Sequence, residues 1–211
     1  MRVAILIYDG FDELDAVGPY EVLRNAERGG ADVSVDLVTR EPVERITASH
    51  GLALVPQAVL DASYDLLIVP GGGWGERAEV GAWGEAQRGD LPASICRARE
   101  GGATMASVCT GAMLLAAAGV TTGRPATTHR SALDDLAAQG AEVVRERVVD
   151  DGDLLTAGGV TAGIDLALWL VEREWGARLA DRIAREMEHE RVGRVHRSEA
   201  AERAAGPSPG N

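Results

Sequence analysis

The chain has 211 residues, of which 45% are hydrophobic and 26% charged, so it is long enough for one globular domain with a substantial core. Acidic residues number 33 against 21 basic ones, and the resulting net charge of −12 excludes a nucleic-acid partner bound through a basic face. All 21 basic residues are arginines, which excludes Schiff-base chemistry and any cofactor that needs an anchoring lysine.

The apolar segments are short. The first of them, Val3–Ile7, has only the length of a strand, and no run approaches the length needed to cross a membrane. The two cysteines, Cys96 and Cys109, do not make a disulfide framework in a chain of this size, and Cys96 is interpreted as inert core. We therefore expect a cytoplasmic protein, without membrane contact, in a compartment that keeps thiols reduced.

Short runs of Val, Ile and Leu alternate with amphipathic stretches, which is typical of a parallel sheet covered by helices on both faces. The predicted strands are Arg2–Ile7, Val33–Val38, Leu66–Val69, Ala103–Val108 and Leu154–Ala157, with shorter pieces at Val43–Thr47, Leu52–Pro56, Thr127–Thr128 and Glu142–Val149. The predicted helices are Asp12–Arg28, Leu91–Glu100, Thr110–Ala118, Ser131–Gln139, Ala162–Glu174 and Ala177–Glu188. We predict one α/β domain over residues 1–190 and a disordered tail over 198–211.

The strongest chemical signal is a cysteine at the joint between a predicted strand and a predicted helix. Ser107-Val108-Cys109-Thr110-Gly111 resembles the G-x-S-x-G nucleophile elbow, with cysteine in the serine position. The N-terminus of a helix favours a thiolate over a thiol, and Gly111 leaves room for the tight turn. A buried structural cysteine is the alternative interpretation, but small neighbours on both sides favour a nucleophile.

A glycine run follows the predicted strand Leu66–Val69, at the carboxyl edge of the sheet where sites of α/β proteins form. The N–H groups of Gly72 or Gly73, with that of Thr110, are predicted to form an anion-stabilising pocket that faces the sulfur. A phosphate site is excluded, since the chain has neither a P-loop lysine nor G-x-G-x-x-G spacing here.

An aspartate lies at the start of the first predicted helix, again just after a strand. Asp12 resembles an N-cap with Asp15 three residues later, so Asp15 is interpreted either as part of a capping arrangement or as an acid that faces Cys109. His129 also follows a predicted strand and is a candidate for the same region. The remaining histidines are interpreted as surface or packing residues, and the spacing of His, Cys and acidic residues predicts no metal site.

Together these segments resemble the ThiJ/PfpI superfamily of class I glutamine-amidotransferase-like proteins, over about residues 2–188. The resemblance rests on Asp12-Glu-Leu-Asp15 with Pro19, Pro70-Gly-Gly72, Ser107-Val-Cys-Thr-Gly111, Gly123-Arg-Pro-Ala-Thr-Thr-His129 and Leu154-Leu-Thr-Ala-Gly-Gly-Val-Thr-Ala-Gly-Ile-Asp165. It implies a flavodoxin-like three-layer sandwich, a homodimer with its sites near the interface, and chemistry without a cofactor.

Within the superfamily, the elbow and the Gly-Gly-Val-Thr-Ala-Gly-Ile-Asp segment resemble those of isonitrile hydratases. That resemblance implies that Cys109, Thr110 and Asp15 are the functional residues. It also implies a small-molecule substrate, an isonitrile that is hydrated to an N-substituted formamide through a thioimidate. The loops around Trp74, His129 and Val160 are predicted to shape the pocket.

Two positions depart from related patterns. Thr110 stands where the intracellular proteases of the superfamily have a histidine, which argues against peptidase activity. Arg130 stands where the hydratases usually have a tryptophan. Three other functions stay open, namely glyoxalase- or deglycase-like activity on small aldehydes, thiol redox sensing and a ligand-binding module related to AraC-type regulators. The last needs a further helix-turn-helix region and is the least favoured.

Overall fold

A computed structural model describes residues 1–204 of the protein. With the strands numbered in chain order, those of the central sheet are β1 (Arg2–Leu6), β2 (Ser34–Thr39), β5 (Ala58–Val59), β6 (Leu66–Val69), β7 (Thr104–Val108), β10 (Val148–Asp150), β11 (Leu154–Ala157) and β12 (Val195–Arg197). Two small separate sheets pair β3 (Ile46–Thr47) with β4 (Ala53–Leu54) and β8 (Pro125–Ala126) with β9 (Glu142–Val143). The helices are α1 (Glu13–Arg28), α2 (Ala82–Arg88), α3 (Asp90–Glu100), α4 (Gly111–Ala117), α5 (Leu133–Ala138), α6 (Ala162–Trp175), α7 (Ala177–Glu186) and α8 (Glu199–Ala204), with a 3-10 turn at Arg130–Ala132.

The central sheet has the strand order β12-β10-β11-β7-β6-β1-β2-β5. Its strands pair in parallel, except that β10 and β11 are antiparallel. Helices α1, α6 and α7 pack together on one face, and α2, α3, α4 and α5 pack on the other. The predicted mostly parallel three-layer sandwich is therefore confirmed.

The middle of the sheet is buried on both faces. Every residue of β6 and of β11 is buried, and β6 is a continuous apolar run that lacks the alternation of a half-exposed strand. Helix α1 begins after Asp12, whose side chain accepts a hydrogen bond from the N–H of Leu14. Asp12 is thus the N-cap that the sequence predicts.

The C-terminal region differs from the prediction of a tail. The strand Val195–Arg197 extends the sheet in parallel to β10, and Ala201 in α8 is buried with 4% of its surface exposed. Described elements therefore continue beyond residue 190, and α8 lies within the segment for which a disordered tail is predicted. Residues 205–211 of the predicted tail lie outside the described part of the chain.

Three shorter predictions also need correction. The strand predicted at Thr127–Thr128 lies two residues earlier, because the N–H of Thr127 bonds to Thr156 Oγ1 and the hydroxyl of Thr128 bonds to the carbonyl of Cys109. The strand predicted at Glu142–Val149 is divided into β9 and β10. Cys96 is only partly buried on α3 and does not belong to the core.

The parallel strands β1, β6, β7 and β11 all end at one edge of the sheet. The loops that follow them carry Tyr8 to Asp12, Pro70 to Gly73, Cys109 and Gly158 to Val160. This edge is where the site described below is formed. Among residues 1–204, no helix combines the length and the apolar character that a membrane crossing requires.

Candidate active site

Cys109 occupies a sharp elbow between β7 and α4. Its φ angle is 57°, in the left-handed region that non-glycine residues seldom adopt. The backbone N–H of Cys109 is shared between the carbonyls of Ala157, at 3.1 Å, and Gly158, at 2.8 Å. Its carbonyl accepts the hydroxyl of Thr128 at 2.9 Å. These bonds hold the strained conformation, so the predicted elbow is confirmed.

Two glycines allow the elbow to approach the end of β6. A Cβ atom at Gly111 would lie 1.9 Å from the carbonyl oxygen of Val69. A Cβ atom at Gly71 would lie 2.4 Å from the backbone nitrogen of Thr110 and 2.5 Å from its Oγ1. Backbone therefore packs directly on backbone at both positions, as the sequence predicts for Gly111.

Asp15 is completely buried and points away from the helix start, toward this edge. Its Oδ2 atom accepts a hydrogen bond of 2.9 Å from the N–H of Gly71. Its Oδ1 atom is also buried, and no group within residues 1–204 forms a hydrogen bond with it. Asp12 makes the capping hydrogen bond, whereas Asp15 accepts from Gly71 at the sheet edge, so the structure does not support the capping interpretation of Asp15. A catalytic role for Asp15 stays a prediction.

The ionisation of Asp15 and that of Cys109 depend on each other. Burial raises the pKa of the Asp15 carboxyl well above its usual range, and the charge of Asp12 raises it further. The N–H of Gly71, and after it the neighbouring Cys109 side chain, opposes this rise in pKa. Burial, followed by the charge of Asp15, raises the pKa of Cys109 to about 12.

The N–H groups of Val160 and Thr110 approach the sulfur and lower the pKa of Cys109. When Asp15 is protonated its charge no longer acts on the sulfur, and the carboxyl becomes a hydrogen-bond donor to it. The pair therefore ionises as one unit, in which one proton can sit on either the sulfur or the carboxyl.

The backbone N–H groups of Gly72 and Gly73 are predicted to face the sulfur, and the structure gives Gly72 a different partner. The N–H of Gly72 donates to Thr110 Oγ1 at 2.9 Å, so it is not available to a charge at the sulfur. The Gly72 amide is therefore engaged within the protein, whereas the N–H of Val160 approaches the sulfur. Gly73 begins a turn, because its carbonyl accepts the N–H of Ala78. A role for its amide stays a prediction.

The three predicted pocket residues occupy different positions. Val160, with a φ angle of 40°, lines an open hollow together with Asp12, Glu13, Leu14, His50 and Leu52. His129 packs against Gly159, where a Cβ atom would come within 2.5 Å of its ring. Trp74 is tied to α5 by a 2.7 Å hydrogen bond from its indole N–H to Asp135 Oδ2. Val160 thus lies at the mouth of the site, His129 supports that loop and Trp74 anchors the glycine loop.

Sequence reasoning missed Tyr8 and Gly71. Tyr8 lies just beyond β1 with 4% of its surface exposed, and its hydroxyl donates to the carbonyl of Pro70 at 2.7 Å. The available signal was a hydrogen-bonding aromatic residue directly after a buried strand, at the same sheet edge as the cysteine.

No group of three or more His, Cys, Asp or Glu side chains in the described range is arranged to hold a metal ion.

Comparison with known proteins agrees with this geometry. The profile of the DJ-1/PfpI family matches residues 1–173. The chain belongs to the DJ-1/PfpI family. It is 36% identical to the isonitrile hydratase of Pseudomonas putida over 193 residues, which cover 90% of this chain and 78% of that protein.

Other DJ-1/PfpI proteins resemble the chain over a similar extent. A deglycase of Pyrococcus horikoshii is 28% identical over 177 residues, which cover 82% of this chain and 96% of that protein. The crystal structure of a ThiJ/PfpI family protein from Pseudomonas syringae superposes with a TM-score of 0.79 at 29% identity, covering 90% of this chain and 75% of that one. The family of this chain is therefore established, whereas the proteins similar to it carry different named activities.

The burial of Asp15 lowers the stability of the folded protein at neutral pH. Because the pKa of Asp15 is raised on folding, its stabilising contribution is present below about pH 4 and is lost as the pH rises toward the folded value. We expect Asp15→Asn to raise the free energy of unfolding at pH 7 by about 1 kcal/mol or more, since the amide can still accept the Gly71 bond. Urea unfolding at pH 4 and pH 7 measures this, and a gain that does not grow with pH would contradict it.

Proposed function

We propose that the protein is a cysteine-dependent enzyme that hydrates an isonitrile to an N-substituted formamide. The observation that carries the proposal is the buried acid beside the thiol, with Asp15 Oδ1 lacking any partner in the part of the chain described. The carbon of an isonitrile must receive both a nucleophile and a proton, and a thiolate beside a protonated carboxyl supplies both. The similarity to an isonitrile hydratase supports the same reaction.

In the proposed first step the shared proton sits on Asp15, so Cys109 attacks the terminal carbon as a thiolate while Asp15 gives this proton to the same carbon. A C–S bond and a C–H bond form, and the product is a thioimidate beside an ionised Asp15. The N–H groups of Val160 and Thr110 hold the sulfur in place during this attack. Burial raises the pKa of Asp15, which favours the protonated carboxyl that this transfer needs.

In the proposed second step, Asp15 removes one proton from water, whose oxygen adds to the thioimidate carbon, and passes this proton to nitrogen. The second water proton returns to Asp15 as the C=O bond forms and the C–S bond breaks. Sulfur leaves with the bonding electrons, and the pair recovers its single shared proton. The sum is one isonitrile and one water consumed for each formamide released.

The direct test is incubation of the purified protein with an alkyl isonitrile, followed by mass spectrometry of the products. We expect the N-alkyl formamide, with one oxygen from labelled water. Intact-mass analysis under acid quench is expected to show an adduct of the isonitrile mass on Cys109. Absence of formamide over hours at millimolar isonitrile would exclude the reaction.

Deglycase- or glyoxalase-like activity is the second candidate, favoured by the similarity to the deglycase over 96% of its length. Attack of Cys109 on an aldehyde creates an oxyanion, which requires N–H donors at the oxygen. The N–H of Gly72 is engaged by Thr110, whereas the isonitrile route needs only the acid. Parallel assays with methylglyoxal and an isonitrile distinguish the two, and faster turnover of methylglyoxal would favour the second candidate.

Thiol redox sensing has less support from the site. Peroxides oxidise the thiolate, but Cys109 is only 7% exposed and burial raises its pKa. Mild peroxide followed by intact-mass analysis is expected to leave Cys109 largely unmodified. Stoichiometric sulfinic acid at this residue would favour the sensor.

We further propose that the protein is a homodimer. Two large apolar side chains of the hollow at the mouth of the site are exposed, namely Leu14 at 37% and Leu52 at 48%. A second copy that covers these side chains would remove them from water and would also narrow access to Cys109. Light scattering coupled to size exclusion measures the mass in solution.

A further inference from the structure

The hydroxyl of Tyr8 has no part in the proposed reaction steps, yet it is buried close to the reacting pair. It donates a 2.7 Å hydrogen bond to the carbonyl of Pro70. The charges of Asp15 and Cys109, next to burial, are the largest influences on the pKa of Tyr8 and raise it well above its ordinary value. Tyr8 therefore stays protonated and remains a donor at neutral pH.

Two successive peptide groups at the end of β6 connect the parts of the site. In the first, the Pro70 carbonyl accepts from Tyr8 and the Gly71 N–H donates to Asp15 Oδ2 at 2.9 Å. In the second, the Gly71 carbonyl accepts from the N–H of Asp12 at 2.8 Å, and the Gly72 N–H donates onward. Each peptide group is thus held at both of its ends.

We propose that Tyr8 is a positioning residue, whose hydroxyl fixes the Pro70–Gly71 peptide so that its N–H holds the Asp15 carboxyl against Cys109. The inference rests on the proposed function, because that proposal makes Asp15 the acid. The hydrogen bonds that connect Tyr8 to Asp15 do not depend on which substrate is bound. A hydrogen bond to the carbonyl of a peptide polarises the N–H of the same peptide, so Tyr8 also strengthens the bond that Asp15 accepts.

The charged groups that act on Asp15 and Tyr8 come from three segments. Asp12, at the start of α1, and Cys109, in the elbow, act on Asp15, and Glu85 on α2 acts on Tyr8. All three of these groups are anionic when ionised. The Gly71 N–H is therefore the main group that favours the carboxylate form of Asp15, and weakening it favours the protonated acid.

The test is Tyr8→Phe, which removes the hydroxyl and keeps the ring. The pH dependence of Cys109 alkylation by iodoacetamide reports the apparent pKa of the thiol and needs no isonitrile. Because Asp15 holds its proton more firmly in the variant, we expect this pKa to fall by about half a unit, toward that of Asp15→Asn. We expect kcat for isonitrile hydration to fall about tenfold with KM changed less than twofold, because the acid is misplaced.

Tyr64→Phe is the matched control. Tyr64 is 5% exposed, and its hydroxyl donates to Asp36 Oδ2 at 3.1 Å, away from the site. This variant loses a comparable hydrogen bond and is expected to leave both the alkylation profile and kcat unchanged. If Tyr64→Phe shifts the profile as much as Tyr8→Phe, the effect is a general one and the positioning role is refuted.

The Asp15→Asn background shows whether Tyr8 acts through Asp15. Tyr8→Phe in this background is expected to cause no further shift of the alkylation profile, because the titrating carboxyl is gone. A shift of the same size in both backgrounds, or no shift in either, would overturn the role of Tyr8. Two results together would separate the role of Tyr8 from the proposed reaction. If Tyr8→Phe shifts the alkylation profile only where Asp15 is present, Tyr8 is a positioning residue. If the unmodified protein also fails to turn over an isonitrile, only the proposed reaction is rejected.

Discussion

Replacement of Cys109 by alanine is expected to lower kcat/KM for isonitrile hydration by about 10⁴-fold or more, because no other group can form the covalent thioimidate. The free energy of unfolding should change by less than about 1 kcal/mol, since alanine meets the same backbone strain at a φ angle of 57°. Formamide production by mass spectrometry and urea unfolding measure the two effects.

The second cysteine provides the control for this experiment. Cys96 is partly buried on α3, with its thiol 3.6 Å from Glu100 Oε1, and it is remote from the elbow in the fold. Cys96→Ala should therefore retain full activity. If Cys109→Ala keeps more than about a tenth of the activity, the thiol is not the nucleophile and the proposed mechanism fails.

Gly111→Ala is expected to destabilise the fold by about 3 kcal/mol or more, which is large against the stability of a typical domain. The added Cβ atom would lie 1.9 Å from the carbonyl oxygen of Val69, and neither atom belongs to a side chain that can rotate away. The elbow and the end of β6 must separate to admit it. Urea unfolding, with activity measured on the folded fraction, tests this expectation.

Gly75→Ala is the matched control for Gly111→Ala. A Cβ atom at Gly75 would meet only Ser131 Oγ, at an ordinary contact distance of 3.7 Å. We expect a change in unfolding free energy within about 1 kcal/mol. A loss at Gly111 no larger than the loss at Gly75 would show that the close packing of elbow and strand is not needed.

The elbow was predictable because its signal is local. A strand, a cysteine and a helix follow one another in the chain, and Gly111 stands two residues after Cys109. The position of Asp15 was predictable in part, because parallel strands bring the loops that follow them to one edge. Whether Asp15 capped its helix or faced the sulfur depended on contacts between distant segments, and only the structure decided it.

The details of the amides and the C-terminus were not predictable for a related reason. Nothing in a glycine run shows that the Gly72 N–H is engaged by the hydroxyl of Thr110, 38 residues away. The strand Val195–Arg197 has a weak apolar signal, and it forms because β10 offers a free edge with which it pairs. Such features depend on long-range partners, which composition and periodicity do not encode.

The groups that hold the acid and the thiol are mainly backbone amides, those of Gly71, Val160 and Thr110. The hollow outside them is lined by Val160 together with side chains such as Leu14 and Leu52, and these two apolar side chains make no hydrogen bond to the pair. Substitutions of the Leu14 and Leu52 side chains can therefore alter which molecules enter without removing the backbone bonds that hold the reacting pair. This separation offers a physical route by which one fold can acquire new substrates during evolution while its reactive chemistry stays the same.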